Sequence, residues 1–249
     1  MKKRYKALIL DLDGTTIPNS KDSLPSQKVI DAIQKARKKL AVCVATGRSL
    51  RLAEPVLDAL QITNPVILLG GSQIVSGNPR KFIYEKPLLI HDIAALLDLL
   101  KPYHDKLLID EKHKAFTYFS SYKPNGVFTL LVKNLSNKTA DEIISKISHL
   151  ETIAAHKIIS WKHGEVVLNI SHAEATKQHG IYEVAKLLGI ETHDIIGVGD
   201  GYNDFPLLMA CGLKIAMGNA VSEIKEIADY VAPSIEEDGV AHIIEKFIL

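Results

Sequence analysis

Two stretches of the chain alternate short apolar runs with segments of helical periodicity. The apolar runs predict strands at residues 6–10, 41–45, 65–69, 194–198, 213–216 and 230–232. The segments between them predict helices at residues 25–39, 51–60 and 178–188, from about 203, from about 222, and into Phe247 at the end. Apolar strands that alternate with helices are typical of a parallel sheet with helices on both faces. These stretches therefore predict an α/β core with a doubly wound, Rossmann-like parallel sheet.

The residues between these stretches follow another pattern, in which strands outnumber helices. Strands are predicted at residues 82–85, 106–110, 115–119, 128–133, 157–162 and 166–170, and helices at 91–100 and 139–150. Hairpin-like links such as the segment WKHGEVV favour a mainly antiparallel sheet. The sequence thus predicts a discontinuous α/β core, made of residues 1–80 and 173–249, and a smaller inserted α+β domain of residues 81–172.

Composition and charge exclude several classes of protein. The 249 residues include 30 basic and 29 acidic side chains, a formal net charge of +1, so bulk charge predicts neither a nucleic-acid partner nor binding to an anionic membrane. Only two cysteines occur, which favours a reducing compartment over a disulfide framework. The basic start Met1–Arg4 precedes an apolar run, ALIL, too short for a signal peptide, and no stretch approaches the roughly 18 apolar residues of a membrane span. We expect a cytoplasmic protein, as a monomer or a homodimer.

Three polar clusters directly follow predicted strands of the core. They are DLDGT at residues 11–15, TGR at 46–48 and DGYND at 200–204. Ligands of open parallel sheets bind in the crevice beyond the carboxyl ends of the strands. If these strands are neighbours, side chains that are far apart in the sequence meet at one edge of the sheet.

The carboxylates of these clusters point to a metal ion. Alternation in an extended segment places Asp11 and Asp13 on one side of the chain, and Asp200 adds a third carboxylate. Two unit charges about 4 Å apart repel by roughly 4 kcal/mol at an effective dielectric constant near 20. The cluster therefore needs a cation or an altered protonation state, and oxygen ligands of this kind suit Mg²⁺. One Asp-Gly pair alone would be explained as a turn.

These motifs, with a lysine at the start of a later helix, resemble the four-motif signature of the haloacid dehalogenase-like superfamily. The quoted residues are DLDGT, ATGR, Lys177 and GDGYND. The resemblance covers about residues 1–80 and 175–249. The α/β insertion between the second and third motifs is similar to the cap domain of the Cof-type sugar-phosphatase branch.

The resemblance implies a role for each matching residue. Asp11 matches the nucleophile that forms an aspartyl-phosphate intermediate, and Asp13 the general acid that protonates the leaving alcohol and then activates water. Lys177 matches the cation that offsets the charge of nucleophile and phosphate. The implied Mg²⁺ site comprises Asp11, the backbone carbonyl of Asp13, Asp200 and, through bound water, Asp204. The implied substrate-binding residues are Thr46, Gly47, Arg48, Lys177 and Asn203, with the Thr46 hydroxyl donating to the phosphoryl oxygens.

Several alternatives remain open from the residues alone. Lys177 could be a solvated surface lysine, and Arg48 could fork onto a phosphate or a carboxylate, or be solvated. The hairpin tip at residues 161–165 could reach over the site or be an exposed turn. Two positions depart from the family pattern: residues 69–72 read LGGS where an Asn-Gly is usual, and Gln178 replaces a usual glycine.

The implied function is a Mg²⁺-dependent phosphatase that hydrolyses phosphomonoesters of small metabolites, such as sugar or polyol phosphates. A phosphomutase would share the aspartyl-phosphate intermediate but retain the phosphate. A non-catalytic module that uses the acidic pocket as a phosphorylation switch is a third hypothesis. Asp13 and the large insertion argue against the switch, because a switch needs neither a general acid nor a lid.

Overall fold

A computed structural model describes residues 5–249, and the basic start Met1–Arg4 lies outside the described residues. The strands are β1 Ala7–Leu10, β2 Ala41–Ala45, β3 Val66–Leu68, β4 Gln73–Val75, β5 Phe82–Glu85, β6 Leu107–Glu111, β7 Lys114–Thr117, β8 Val127–Leu135, β9 Ile153–Ile159, β10 Val166–His172, β11 Ile195–Gly199, β12 Leu213–Ala216 and β13 Tyr230–Val231. The α-helices are α1 Gln27–Ala36, α2 Leu50–Ala59, α3 Ile90–Leu99, α4 Asn137–Ile147, α5 Lys177–Leu188, α6 Phe205–Ala210, α7 Ser222–Ile227 and α8 Gly239–Phe247.

The core is an eight-stranded sheet in the order β13-β12-β11-β1-β2-β3-β4-β5. Strands β13 to β3 of this order run parallel, and β4 and β5 are antiparallel additions at one edge. Alternate residues of β1 enter different cores: Leu8 and Leu10 pack with α1, α2 and α8, whereas Ala7 and Ile9 pack with α5, α6 and α7. Helices therefore cover both faces, as the sequence predicts for a doubly wound sheet.

The inserted domain is built on a five-stranded antiparallel sheet in the order β7-β6-β8-β10-β9. Helices α3 and α4 cover one of its faces, where Ile93 and Ile143 pack on Ile109, Leu130 and Leu168. Because side chains alternate along a strand, the intervening residues, such as Leu108 and Leu131, point to the opposite face. That face is turned toward the core and lines a cavity between the two domains.

Strand β5, Phe82–Glu85, belongs to the large sheet and not to the inserted one. This strand was expected to belong to the inserted domain, but it pairs with β4 in the large sheet, Ile74 opposite Tyr84. Its alternating burial is that of a half-exposed edge strand, a pattern that does not reveal which sheet the strand joins. Strand β4, which the sequence analysis did not predict, supplies the pairing partner. The second sheet therefore begins only after β5.

Two helices of the core, α1 and α5, start directly after a residue whose side chain caps them. Ser26 accepts a hydrogen bond from the Val29 amide at the start of α1, and Thr176 accepts one from the His179 amide at the start of α5. Such caps satisfy amide groups that a helix leaves without a partner. The cap of α5 is the one that matters for the site, because it fixes the first helical residue, Lys177. Among residues 5–249, no helix has the length and apolar character to span a bilayer.

Candidate active site

The three motif-bearing strands β1, β2 and β11 are neighbours in the large sheet. Leu10 of β1 lies opposite Val44 on one side and Val198 on the other, so the chain leaves all three strands at the same edge. Asp11, Asp200 and Asp204 meet there, each with a carboxylate oxygen within 4.8 Å of the others. All three side chains are buried. Carboxylates from opposite ends of the chain thus form one cluster.

Lys177 lies inside this acidic cluster rather than on the surface. Its Nζ donates to Asp11 Oδ1 at 2.5 Å and to Asp204 Oδ1 at 2.6 Å, and the residue is 2% exposed. The alternative of a solvated surface lysine is therefore wrong. The departure at Gln178 does not disturb this helix start, since Thr176 caps α5 directly before Lys177.

The loop after β1 is folded tightly against Asp200. Amides of Thr15, Thr16 and Ile17 all donate to the Leu12 carbonyl, which turns the chain back on itself. Gly14 has a φ of +80°, and a Cβ at this position would lie 2.2 Å from Asp200 Oδ2. Only glycine allows this backbone conformation and this close approach. The DLDGT turn is thereby packed directly against the carboxylate of Asp200.

The two carboxylates of the DGYND segment are held differently. Asp200 Oδ1 accepts a hydrogen bond from Thr15 Oγ1 at 2.8 Å. Asp204 is more fully engaged: its Oδ2 accepts from the amides of Asp200 and Gly201, both at 2.9 Å, and its Oδ1 binds Lys177. Asp204 therefore braces the loop and the lysine, whereas Asp200 is left with an oxygen available for another ligand.

Burial and mutual repulsion perturb the ionisation of this cluster. Burial, followed by the charge of Asp204, raises the pKa of Asp11 to about 7, against the opposing effect of Lys177. Burial, with the charges of Asp204 and Asp11, also raises the pKa of Asp200 well above its ordinary value. Burial alone would lower the pKa of Lys177, but the carboxylates of Asp11 and Asp204 outweigh it and raise that pKa. One lysine does not neutralise three neighbouring carboxylates.

The donor set of the cluster fits a hard divalent cation. It offers only carboxylate oxygens, and burial, together with the charge of the neighbouring carboxylates, raises the pKa values of Asp11 and Asp200. Mg²⁺ takes oxygen ligands and commonly uses one or two carboxylates together with water and substrate oxygens. Asp11 and Asp200, whose oxygens are less engaged than those of Asp204, are the residues best placed to bind such an ion.

Asp13 stands apart from the cluster and is held by Arg48. Arg48 Nε donates to Asp13 Oδ2 at 2.8 Å and Nη2 donates to Oδ1 at 2.5 Å, a bidentate fork. The remaining guanidinium donors reach the backbone carbonyls of Ser20, Lys21 and Leu52. The sequence allowed Arg48 to bind either a phosphate or a carboxylate, and in the structure it binds the carboxylate of Asp13. All five N–H groups have protein acceptors, so a role in binding substrate directly is not favoured.

The hairpin tip between β9 and β10 reaches the site. Trp161 Nε1 donates a hydrogen bond to Asp13 Oδ1 at 3.3 Å. The Arg48 guanidinium lies over the indole ring of Trp161, with its Cζ atom 5.6 Å from the ring centroid. Asn19 Nδ2 donates to the Ser160 carbonyl at 3.2 Å and ties the same tip to the core. The inserted domain is therefore in contact with Asp13 itself.

The remaining residues of the predicted phosphate site lie around this centre. Thr46 is fully buried, and its Oγ1 accepts a hydrogen bond from the Arg48 amide at 3.1 Å. Its hydroxyl proton is available for an acceptor in the site. Gly47 and Asn203 line the cavity of about 570 Å³ between the domains, together with Asp11, Asp13 and Asp200.

Sequence analysis missed three polar residues on the inner face of the inserted sheet. Asp110 lines the cavity, while the side chains of Asn169 and His156 have buried polar atoms without a hydrogen-bond partner among the described residues. Asn169 Nδ2 lies 3.1 Å from the position that a Cβ on Gly70 would occupy. It therefore occupies the space left open where residues 69–72 depart from the family pattern. Each of these polar residues lies in a largely apolar strand, which was the available signal. The sequence pattern did not tell whether their side chains face the cavity or the core of the inserted domain.

A family model described as haloacid dehalogenase-like hydrolase matches residues 8–244 of the chain. Among curated proteins, the chain is 26% identical to the 5-amino-6-(5-phospho-D-ribitylamino)uracil phosphatase YcsE of Bacillus subtilis, over 98% of this chain and 96% of that protein. It is 25% identical to the phosphoglycolate phosphatase of Methanosarcina acetivorans, over 97% and 96% of the two chains.

Solved structures share the fold over nearly the whole chain. A haloacid dehalogenase-like hydrolase from B. subtilis superimposes with a TM-score of 0.84 at 21% identity, covering 97% of this chain and 99% of the other. The subclass IIB sugar phosphatase BT4131 gives a TM-score of 0.80 at 22% identity, with 97% and 98% coverage. At these identities the likeness shows the fold of both domains and not the substrate.

Proposed function

The chain belongs to the haloacid dehalogenase-like hydrolases, and from this we propose that it is a Mg²⁺-dependent phosphatase acting on phosphomonoesters of small metabolites through an aspartyl-phosphate intermediate. The observation that carries this proposal is the pairing of two aspartates in different settings. Asp11 lies buried beside Lys177 and Asp200, whereas Asp13, two residues on, is held outside the cluster by Arg48. Two carboxylates with separate environments suit two separate roles.

We assign Asp11 as the nucleophile. Lys177 binds its Oδ1, and Oδ2, which accepts no hydrogen bond from the residues described, would attack phosphorus. The bond from phosphorus to the leaving oxygen then breaks, leaving the phosphoryl group on Asp11. Positioning and neutralisation of charge supply most of the acceleration in such transfers, and Lys177 provides one positive charge next to the reacting group.

We assign Asp13 as the general acid and base. Its proton goes to the leaving alcohol in the first half of the reaction, and its carboxylate removes a proton from water in the second half, when phosphate is released from Asp11. Arg48 stabilises the carboxylate that results from the first step and fixes both of its oxygens. Arg48 is therefore a positioning residue that acts through Asp13 rather than a substrate ligand.

We assign the Mg²⁺ site to Asp11, Asp200 and the backbone carbonyl of Asp13. Asp204 would contact the ion only through bound water, because Lys177 and two backbone amides already occupy its oxygens. When bound, Mg²⁺ would neutralise the excess charge of the cluster and polarise the transferring phosphoryl group. Thr46, Gly47 and Asn203 would bind phosphoryl oxygens, and the inserted domain would cap the site and exclude water.

Compartment and assembly remain predictions. Cys43 and Cys211 are free and buried in the core, which supports a reducing environment such as the cytoplasm. A monomer or a homodimer is expected.

The proposal is tested by steady-state release of phosphate from p-nitrophenyl phosphate and from glycerol 3-phosphate. We expect turnover with Mg²⁺, loss of turnover with EDTA, and a fall of more than about 10⁴-fold in kcat for Asp11→Asn. Asp98→Asn, on the exposed side of α3, is the matched control and should retain full activity.

Each rival function predicts a different result. Stimulation by a sugar bisphosphate, with the phosphate retained, would indicate a phosphomutase. Labelling of the protein without any release of phosphate would indicate a phosphorylation switch. Turnover by Asp11→Asn equal to that of the natural protein would reject the proposed chemistry.

A further inference from the structure

A bulge in β8 turns a lysine toward the cavity between the domains. At this bulge, Lys133 and Asn134 together oppose a single residue of β10. Val132 and Leu135, on either side of them, both pack into the core of the inserted domain, whereas Lys133 and Asn134 line the cavity. In a regular strand Asn134 would share the face of Val132. The bulge thus places both polar residues on the cavity side, as bulges next to active sites commonly do.

Lys133 has no close partner in this position. Among residues 5–249 its ammonium forms no ion pair within 4.0 Å and no side-chain hydrogen bond. Asp110 is a carboxylate of the inserted sheet that lines the same cavity, but it lies opposite Thr129 and accepts a hydrogen bond from it. Four residues along β8 separate Thr129 from Lys133, a distance on the order of 13 Å. Asp110 therefore does not neutralise Lys133.

The outer part of the cavity carries an excess of positive charge. Lys21, in the loop after β1, and Arg51, in the first turn of α2, also line it, and neither forms an ion pair within 4.0 Å with a described residue. Lys162 is already ion-paired within the hairpin tip. Burial raises the pKa of Asp110 to about 6 against the opposing charge of Arg51, so these two groups lie within range of each other. Lys21 and Lys133 remain as excess charge, and a cleft lined by one sign of charge attracts ligands of the other.

The phosphate that is transferred has separate partners at the floor of the cavity. Thr46, Gly47 and Asn203 are assigned to it above, beside Lys177 and the metal site, and all of them belong to the core. Lys133 is on the opposite wall. The cavity volume of about 570 Å³ is within the range of roughly 300–1,000 Å³ that is usual for pockets binding whole small molecules. Lys133 is therefore placed to contact the leaving group.

The register of the inserted sheet sets the distance between the two ends of the substrate. Val167 pairs with Ile158 of β9, and Ile158 reaches the phosphate loop, since a Cβ on Gly47 would lie 3.4 Å from its Cδ1. Lys133 lies one strand beyond Val167, so its Cα is on the order of 10 Å from that of Ile158 at about 4.8 Å per strand. The flexible four-carbon stem of lysine can shorten this separation for the ammonium group. An anionic group borne roughly three to six carbons from the ester fits this spacing.

We propose that Lys133 binds a second anionic group, a carboxylate or a phosphate, at the end of the leaving group away from the ester that is cleaved. Lys21 and Arg51 add to the positive charge that attracts it. The substrates are then phosphorylated hydroxy acids or bisphosphates. The inference rests on the proposed phosphatase function and narrows it, since simple sugar and polyol phosphates carry no second anion.

The test compares pairs of substrates that differ only at the end opposite the phosphate, with Mg²⁺ present. 3-Phosphoglycerate has a carboxylate where glycerol 3-phosphate has a hydroxymethyl group, and 6-phosphogluconate differs from glucitol 6-phosphate in the same way. We expect kcat/KM to be about tenfold or more higher for the acid than for the alcohol in at least one pair, or for glycerol 1,3-bisphosphate, counted per ester group, than for glycerol 3-phosphate. The largest of these ratios identifies the second anion as a carboxylate or a phosphate.

Variants at Lys133 test whether this side chain recognises the anion. In Lys133→Met the preference for the second anion should fall to about twofold or less, while kcat/KM for the alcohols stays within about twofold of the natural value. Lys133→Arg keeps the positive charge and should keep most of the preference. Lys146→Met removes the same charge from the exposed side of α4, so this matched control should retain the whole preference.

Other results would overturn the inference. No preference for either acid or for the bisphosphate in the natural protein would reject a site for a second anion, and this result does not depend on whether a variant folds. A preference that survives in Lys133→Met would remove Lys133 as the recognising group. An equal loss on acid and alcohol would assign Lys133 to the attraction of the transferred phosphate instead. Turnover of p-nitrophenyl phosphate distinguishes these failures from failure of the phosphatase proposal itself.

Discussion

The two surfaces that enclose the cavity are polar in different ways. At the edge of the large sheet, the buried charges bind one another: Lys177 bridges Asp11 and Asp204, and Arg48 forks onto Asp13. On the inner face of the inserted sheet, Asp110, Asn169 and His156 are buried with few partners or none among the described residues. The core surface is thus organised before a ligand arrives, whereas the inserted surface keeps buried polar atoms that no described residue satisfies.

This difference accords with two tasks. Transfer of a phosphoryl group requires donors and charges that are fixed in advance, because reorganisation during the reaction would raise the barrier. Selection of a leaving group requires groups whose hydrogen bonds are missing until the right molecule supplies them, since the wrong molecule then leaves a buried polar group without a partner. Substitutions on the core surface should therefore affect every substrate, and those on the inserted surface should affect selectivity.

Among substitutions that leave the reacting aspartates in place, the largest effect is expected for Lys177→Met, which removes the cation between two buried carboxylates. We expect kcat to fall by about 10³-fold for all phosphate esters and stability to fall by about 3 kcal/mol, because Asp11 and Asp204 lose their partner. Urea unfolding and steady-state kinetics measure the two effects. Lys186→Met, on the exposed side of the same helix, should change neither, and a Lys177→Met protein with full activity would contradict the fixed charge arrangement of the core.

A smaller and more selective effect is expected for Arg48→Lys, which removes the bidentate fork on Asp13. An alkyl leaving group needs a proton and p-nitrophenolate does not, so kcat/KM should fall by about 100-fold for glycerol 3-phosphate and by less than about fivefold for p-nitrophenyl phosphate. The pH profile for the alkyl ester should shift as well. Arg37→Lys, at the end of α1 and away from the site, is the control. Equal losses on both esters would assign Arg48 to phosphate binding instead.

The effect confined to the narrowest conditions is a pH dependence of stability in the metal-free protein. The pKa of Asp11 is raised to about 7 in the folded state, compared with roughly 3.9 for an unperturbed aspartate, so the folded protein binds more protons between these values. Stability should therefore decrease as the pH rises from about 4 to about 7, and Mg²⁺ should reduce this decrease by favouring the ionised form.

Thermal melting from pH 4.5 to 7.5, in EDTA and in Mg²⁺, measures this dependence. The difference in Tm between the natural protein and Asp11→Asn isolates the contribution of Asp11, since other titrating groups are common to both. If this difference in Tm is independent of pH in EDTA, folding does not raise the pKa of Asp11, and the prediction is wrong.

The sequence could predict the core surface because its residues follow strands directly. Asp11, Thr46 and Asp200 each come after an apolar run, and adjacent parallel strands bring such positions to one edge. Lys177 was less specific in the sequence, because its burial depends on how α5 packs over the sheet edge, which no local pattern encodes.

The inserted surface could not be predicted in the same way. Whether Asp110 faces the cavity or solvent depends on which face of the sheet α3 and α4 cover, and a shift of one residue would reverse it. The contact of Trp161 with Asp13 likewise depends on how the two domains dock. The sequence placed β5 in the inserted domain for a related reason. Its pattern of buried and exposed residues fits an edge strand of either sheet, and only the pairing with β4 shows that it belongs to the large one.

The central claim, that Asp11 becomes phosphorylated during turnover, is tested most directly by rapid acid quench of the Mg²⁺-loaded protein mixed with labelled substrate, followed by peptide mapping. Label should appear on the peptide that contains Asp11 within the first turnover, decay as phosphate is released, and persist longer in Asp13→Asn, where water is not activated. Release of phosphate with no labelled protein at any time, or label on a peptide without Asp11, would contradict the account.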